Sequence, residues 1–149
     1  MNLKYLHTNL VADDWKSLSK FYEEAFGCKL VPPERDYTGE AIEKGTGIPG
    51  VHLTGIHLRL PGYGENGPTL EIFSYEPKAE RVETRVNRAG YGHIAFQIDN
   101  VEEVRNKIIK AGGKEVGEIV EVVTSFGGKI KWCYVTDPEG NVIELQSKS

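Results

Sequence analysis

The feature that most constrains the fold of this chain of 149 residues is an internal repeat. Two segments can be aligned with each other: HTNLVADDWKSLSKFYEEAFGCKLV and HIAFQIDNVEEVRNKIIKAGGKEVG. Each begins with a histidine in a strand-like run, passes through Asp or Asn into a helical pattern, and ends at glycine before a second apolar run. The later parts also match, because NGPTLEIFSY is similar to EGNVIELQS. The chain is therefore expected to build two similar modules.

Both halves show the same order of secondary structure. Apolar residues recur at a spacing of three to four after Asp13 or Asp14, and again after Asp99 or Asn100. This spacing indicates an amphipathic helix with a capped N-terminus in each half. The segments PGYGENG and DPEGN each separate two β-prone runs and indicate hairpins. Each half is therefore predicted to form a strand, a helix and then about three strands, which is an α+β arrangement.

The first half contains a longer connection than the second. Residues 32–50, PPERDYTGEAIEKGTGIPG, have no counterpart of that length in the second half. The segment has no clear periodicity and is predicted to be an irregular loop. Because long loops in compact domains are commonly functional or disordered, this loop is a candidate lid over a binding site.

Composition excludes several classes of function. The formal net charge of −4 gives no reason to expect nucleic acid or an anionic membrane surface as a partner. No apolar run approaches the roughly 18 residues of a spanning helix, and MNLKYLHTNL lacks the pattern of a signal peptide. Cys28 and Cys133 lie far apart and outside any CxxC pattern, so they are expected to be free thiols. These features predict a cytoplasmic protein.

Two glutamates interrupt strands that otherwise look buried: Glu71 lies within TLEIFSY and Glu144 within NVIELQS. Glutamate is almost never fully buried without a partner. Because side chains alternate along a strand, each glutamate should share the face turned away from the helix with the histidine of its half, His7 or His93. Two imidazoles and two carboxylates suit Zn, Ni, Co, Mn or Fe, and coordination would compensate the buried carboxylates. The sequence therefore predicts one divalent metal ion bound by these four residues.

Other side chains are candidates for contact with a substrate. His57 and Arg59 fall on the same face of their strand as the predicted cavity, although Arg59 is equally consistent with a solvent-facing position. An arginine there would suit a carboxylate or phosphate. Trp132 and Tyr134 occupy the equivalent strand of the second half and could line a pocket for an apolar or ring-bearing substrate, or pack in the core. His52 and His57 share one strand without carboxylates nearby in sequence, so a second metal site is not predicted there.

These segments resemble the vicinal oxygen chelate superfamily, which includes glyoxalases, bleomycin resistance proteins and extradiol dioxygenases. The likeness covers nearly the whole chain and is strongest at HTNLVADDWKSLSKFYEEAFGCKLV, LEIFSYEP, YGHIAFQIDNVEEVRNKIIKAGG and YVTDPEGNVIELQ. It implies a single domain, residues 1–149, with paired βαβββ modules: module 1 (about 1–78) and module 2 (about 90–149). It further implies a curved eight-stranded mixed sheet around a half-barrel cavity, with the helices outside, and a homodimer.

The resemblance extends to the metal ligands, which in that superfamily lie on the first and fourth strands of the modules. Here those positions are His7, Glu71, His93 and Glu144. The set is similar to that of glyoxalase I and close to that of methylmalonyl-CoA epimerase. In both, a metal polarises a substrate oxygen while carboxylates move a proton from the adjacent carbon. Glu71 and Glu144 are therefore the expected catalytic residues.

The likeness to glyoxalase I is incomplete at two positions. Bacterial glyoxalase I carries an arginine four residues after its first histidine and an asparagine four residues after its first glutamate, both used on glutathione. Here those positions are Val11 and Tyr75. This departure weakens the case for a glutathione hemithioacetal as the substrate, and Tyr75 remains a candidate contact for a small-molecule substrate.

Three functions are consistent with the sequence. The first is a metal-dependent isomerase, epimerase or lyase that acts beside a carbonyl. The second is a small dioxygenase using Fe or Mn, which commonly needs two histidines and one carboxylate with positions open for O₂. The third is a metal-binding or ligand-binding protein without turnover. Glu71 favours the first, because it supplies a base where a dioxygenase needs an open position.

Overall fold

The computed structural model describes all 149 residues, and the chain divides into two compact units, Met1–Glu80 and Arg81–Ser149. The first unit contains module 1, with elements β1 His7–Val11, α1 Trp15–Phe26, β2 Lys29–Tyr37, α2 Glu40–Thr46, β3 His52–Arg59 and β4 Thr69–Glu76. The second contains module 2, with β5 Ile94–Gln97, α3 Val101–Lys110, β6 Lys114–Val123, β7 Lys129–Thr136 and β8 Val142–Lys148.

Each module has its own four-stranded mixed sheet. The strand orders are β1-β4-β3-β2 and β5-β8-β7-β6, so the two modules share one topology. In each sheet the first strand is parallel to the fourth, and the other pairs are antiparallel. The α+β class and the paired βαβββ modules are therefore confirmed. None of the helices is long and apolar enough to cross a membrane.

The long helices begin at the cap residues that the sequence offered. The Asp14 carboxylate accepts hydrogen bonds from the backbone N–H groups of Lys16 and Ser17, both at 3.1 Å, and thereby satisfies donors that have no partner within α1. The hydrogen bond from the Ser17 hydroxyl, together with these backbone bonds, holds the pKa of Asp14 below its usual value. Helix α3 starts in the same way, because Asn100 accepts from the backbone N–H of Glu103 at 3.0 Å. Of the two candidate caps in each half, the second is therefore the one used.

The core of each module lies between its long helix and one face of its sheet. In module 1 four residues of this face are almost fully buried: Ile56, Leu58, Leu70 and Ile72. In module 2 the four are Cys133, Val135, Ile143 and Leu145. Both cysteines are buried free thiols, as expected. Burial raises the pKa of the Cys28 thiol to about 11. Since neighbouring residues on a strand face opposite ways, Glu71 and Glu144 are placed on the face that the long helix does not cover.

The prediction of an irregular loop over residues 32–50 is wrong. Strand β2 continues to Tyr37, and α2 follows it. Ile42 within this short helix and Ile48 just after it pack against the buried cluster of Val51, Leu53 and Phe73. The sequence hid both elements for physical reasons: two prolines interrupt the strand pattern, and a helix of seven residues is too short to display a period. Whether the segment acts as a lid stays a prediction.

Gly55 marks a close approach within the sheet of module 1. A Cβ atom at this position of β3 would lie far inside van der Waals contact with the Phe73 ring and the Ile72 carbonyl oxygen. We expect Gly55→Ala to lower the free energy of unfolding by about 1–3 kcal/mol, the usual cost of overpacking. Urea denaturation followed by circular dichroism measures it.

Gly45→Ala is the matched control, because Gly45 lies inside α2 with nothing near its missing Cβ. Alanine is the better helix former by about 1 kcal/mol, so this variant should be as stable as the parent or more so. Equal effects of the two substitutions would contradict the described packing of β3 against Phe73.

Candidate metal centre

The sheet face that α1 does not cover is called here the open face of module 1. Strand register places three polar residues side by side on this face. Asn9 of β1 pairs with Glu71 of β4, and Glu71 pairs in turn with His57 of β3. In the neighbouring row, His7 pairs with Thr69. Residues in register on adjacent strands share a face of the sheet, so these five side chains converge.

The convergence brings together three potential metal ligands. The Nε2 atom of His57 lies 2.8 Å from one carboxylate oxygen of Glu71, and the Nε2 atom of His7 lies 3.7 Å from the other. One ligand atom from each residue lies within 4.8 Å of the others. The Glu71 side chain is only 15% exposed, and a buried carboxylate needs compensation. The two imidazoles and the side-chain amide of Asn9 provide it.

Further hydrogen bonds orient this cluster. The Nδ1 atom of His57 lies 3.0 Å from the hydroxyl of Thr69, which leaves Nε2 directed at Glu71. The Asn9 side-chain amide donates to Glu71 at 2.8 Å. Burial lowers the pKa of His57, against the attraction of Glu71, and so favours the neutral imidazole that metals require.

The donor set of module 1 fits a divalent cation. Two imidazoles and a carboxylate are typical ligands of Zn and of divalent first-row transition metals. The Nδ1 atom of His7 is buried without a hydrogen-bond partner, which is uncommon for a buried polar atom in a finished site. The nitrogen of this ring that lies beside Glu71 is Nε2, so the fit to a cation depends on the donor set and not on the deficit at Nδ1.

Module 2 repeats the arrangement with two ligands. The Nε2 atom of His93 lies 2.8 Å from one oxygen of Glu144, and the side-chain amide of Gln146 donates to the other at 3.1 Å. Tyr134 pairs with Glu144 across the β7–β8 ladder, and its ring centroid lies 5.0 Å from that of His93. Trp132 follows at 5.0 Å from Tyr134, so three rings form a continuous row beside the glutamate.

The predicted ligands and the two remaining candidates of module 1 lie in different places. The His–Glu pairs lie together within their own modules, His7 with Glu71 and His93 with Glu144. Arg59 donates to the carbonyl of Gly67 in the hairpin turn. The remaining candidate in module 1, Tyr75, packs on the buried cluster near α2. The binding of one ion by all four ligands, and every substrate contact, stay predictions.

The sequence predicts the correct face for His57 but does not identify it as a possible metal ligand. The signal was available in the hairpin, because the turn between β3 and β4 sets His57 directly opposite Glu71. His52, the other histidine of β3, lies on the opposite face and pairs with Asp36 at 2.7 Å. The absence of a carboxylate close in sequence was therefore a poor criterion for His57.

With this geometry established, comparison with known proteins identifies the family. A family model for the Glyoxalase/Bleomycin resistance protein/Dioxygenase superfamily matches residues 4–145. The chain therefore belongs to this superfamily, as its βαβββ modules and paired histidines and glutamates indicate.

Individual relatives are more distant. Lactoylglutathione lyase of Escherichia coli O157:H7 is 29% identical over 148 residues, covering 96% of this chain and 91% of the relative. The lactoylglutathione lyase of Haemophilus influenzae is 27% identical, covering 99% and 95%. Among solved structures, a glyoxalase family protein from Bacillus cereus has a TM-score of 0.77 at 21% identity, covering 99% and 94%. The trypanothione-dependent glyoxalase I of Leishmania major has a TM-score of 0.63 at 24% identity, covering 98% and 87%. At such identities the structural matches establish the fold alone.

The histidines of β3 and of the N-terminal end of β1 provide a direct test of metal binding. We expect His7→Ala to retain much less than one equivalent of Zn²⁺ after gel filtration, because it removes a ligand beside Glu71. His52→Ala is the control, since that exposed histidine pairs only with Asp36 among the described ion pairs. Metal content measured by atomic emission should be unchanged in the control. A full equivalent in His7→Ala would contradict the site.

Proposed function

We propose that this protein is a divalent-metal-dependent lyase of the glyoxalase I type, which interconverts a 2-hydroxy thioester and the adduct of a 2-oxoaldehyde with a thiol. The observation that carries the proposal is the recurrence of a half-buried His–Glu pair on the open face of each module. Relatives at 27–29% identity that are named lactoylglutathione lyase support this class of reaction.

In this function His7, Glu71, His93 and Glu144 are the ligands of one divalent ion. The candidate metals are Zn, Ni, Co, Mn and Fe. When bound, the cation supplies a Lewis acid that stabilises the negative charge developing on a substrate oxygen. The protein holds the ligands in place through neighbouring groups, and such support typically changes metal affinity or activity by about 10–100-fold.

The two glutamates differ in how firmly they are held. Glu71 is surrounded by the amide of Asn9 and by two imidazoles. Glu144 is contacted by one amide, that of Gln146, and by one imidazole, that of His93. Because fewer groups restrain it, we assign Glu144 as the base and Glu71 as the anchored ligand.

The proposed reaction is an isomerisation and needs no further reactant. In the forward direction the carboxylate of Glu144 takes the proton from the carbon that bears the hydroxyl and the sulfur. The electron pair of that C–H bond moves between the two carbons, and the proton is returned to the former carbonyl carbon. A hydroxyl proton moves between the two oxygens, which leaves a 2-hydroxy thioester with the same atoms as the adduct.

The open face of module 2 is suited to an apolar part of the substrate. The ring row ends at Trp132, which pairs across the sheet with Val120, a residue that is 38% exposed. Apolar side chains of this kind bind ligand groups by removing apolar surface from water. In module 1, Val11 is exposed and Tyr75 is partly buried against its own core, so neither offers the charged or amide group that would select glutathione. We therefore expect the adduct to contain a thiol more apolar than glutathione, and such thiols should be tested as substrates.

A second candidate function is favoured by one observation in module 1. His7, His57 and Glu71 together are two histidines and one carboxylate, the donor set of non-haem iron dioxygenases. Iron in the purified protein and consumption of O₂ with a catechol-like substrate would favour that function. Isomerisation of a hemithioacetal without O₂ favours the lyase.

We also propose that the chain works as a homodimer in the cytoplasm. Large apolar side chains on β1 and the segment before it are exposed in the single chain, including Tyr5, Leu6 and Val11. An outer strand with such residues invites pairing, and closed two-fold association is the commonest outcome. Two buried free thiols are in keeping with a reducing compartment.

Sedimentation velocity at micromolar concentration tests the association. We expect a dimer that dissociates when Leu6 and Val11 are both replaced by Lys, because two buried charges would disrupt an apolar interface. The same double substitution at Val122 and Val123, which are also exposed, serves as the control. A parent protein that sediments as a monomer would contradict the proposed dimer.

The catalytic assignment predicts that Glu144→Gln keeps most of its metal yet lowers kcat by about 100-fold to 10,000-fold, the usual contribution of a general base. An amide retains an oxygen ligand but accepts no proton from carbon. The assay follows conversion of hemithioacetals, made from methylglyoxal and either glutathione or a small apolar thiol, by proton NMR in D₂O.

Glu118→Gln is the matched control, because Glu118 is an exposed carboxylate of β6. It should turn over at the parental rate. Parental turnover in Glu144→Gln with metal bound would exclude Glu144 as the base, whereas a metal-free variant would show that Glu144 is needed chiefly as a ligand.

A further inference from the structure

We propose that module 1 by itself is a complete three-donor cation site, formed by His7, His57 and Glu71, with His57 as a metal ligand. The site would then bind a divalent ion without any ligand from module 2. The inference concerns binding of the ion alone, so it holds or fails independently of the proposed lyase reaction.

The distances within the cluster are close to those of ligands that share one ion, because one ligand atom from each residue lies within 4.8 Å of the others. Metal–nitrogen and metal–oxygen bonds of about 2.0–2.2 Å place two ligand atoms about 3–4 Å apart around a common ion. The Nε2 atoms of His57 and His7 already lie 2.8 and 3.7 Å from the two oxygens of Glu71. Small rotations of these side chains are sufficient to bring all three donors onto one ion.

The environment of His57 is that of a supported ligand. Histidines that bind metals almost always use the other ring nitrogen in a hydrogen bond, which fixes the tautomer and the direction of the ring. The Nδ1 atom of His57 lies 3.0 Å from the hydroxyl of Thr69, and Thr69 is only 7% exposed. With Nδ1–H donating to that hydroxyl, the lone pair of Nε2 is directed at the cluster. The amide of Asn9 orients Glu71 in the same way.

The duplication provides an internal comparison. Tyr134 occupies the position in β7 that His57 occupies in β3, since each lies directly across the ladder from the glutamate of its module. Module 2 therefore offers two ligands, His93 and Glu144, where module 1 offers three. Two-ligand sites bind divalent ions weakly, so the third imidazole makes module 1 the stronger site.

The test uses the full-length double variant His93→Ala/Glu144→Ala, which lacks both ligands of module 2. Calorimetric titration with Zn²⁺, and with Co²⁺ followed by its visible absorption, should still give one equivalent bound. Adding His57→Ala to this background should weaken binding by more than 100-fold. Adding Thr69→Val, which keeps the ring but removes its hydrogen-bond partner, should weaken it by about 10–100-fold.

His52→Ala in the same background is the control and should leave the Kd unchanged. Circular dichroism confirms that each variant is folded, and Thr69→Val provides a second readout should His57→Ala unfold. Loss of all metal from the double variant, with His7 and Glu71 intact, would overturn the proposal. So would an unchanged Kd in both His57→Ala and Thr69→Val, because that result would remove His57 from the ligands.

Discussion

The structure depends on one constraint: a carboxylate in the middle of a sheet must be compensated. Glu71 and Glu144 each stand in the fourth strand of a module with about 15% of the side chain exposed. Leaving such a charge unpaired would cost several kcal/mol, so each is surrounded by an imidazole and an amide. The partners come from different strands, and their positions are fixed by the sheet register. The same interaction therefore links the fold to the chemistry.

The hydrophobic core determines which face the carboxylates occupy. Alternate residues such as Leu70, Ile72, Ile143 and Leu145 are buried against the long helices and leave no freedom to slip the register by one residue. A slip would place each glutamate beneath a helix. The apolar face thus stabilises the fold and also orients the polar face. The duplication repeats this arrangement, and the copies differ at equivalent positions such as His57 and Tyr134.

Much of this was predictable from the sequence, because it rests on periodicity. The βαβββ modules and the pairing of His with Glu in each half follow from alternation and repetition, and the sequence also narrowed each helix cap to two residues, of which Asp14 and Asn100 are used. Helix α2 was missed because a short element displays no period, and its stability comes from tertiary contacts of Ile42 and Ile48. The role of His57 beside Glu71 was missed because it depends on cross-strand register, which one strand does not reveal.

We propose that the open face of module 1 binds a divalent cation through Glu71 and its neighbouring imidazoles. Anomalous diffraction from crystals grown with Co²⁺, recorded on both sides of the cobalt absorption edge, tests this most directly. We expect one strong peak within about 2.0–2.3 Å of Glu71 and of the imidazoles of His7 and His57. A fully occupied cobalt peak elsewhere on the protein, with no density beside Glu71, would contradict it.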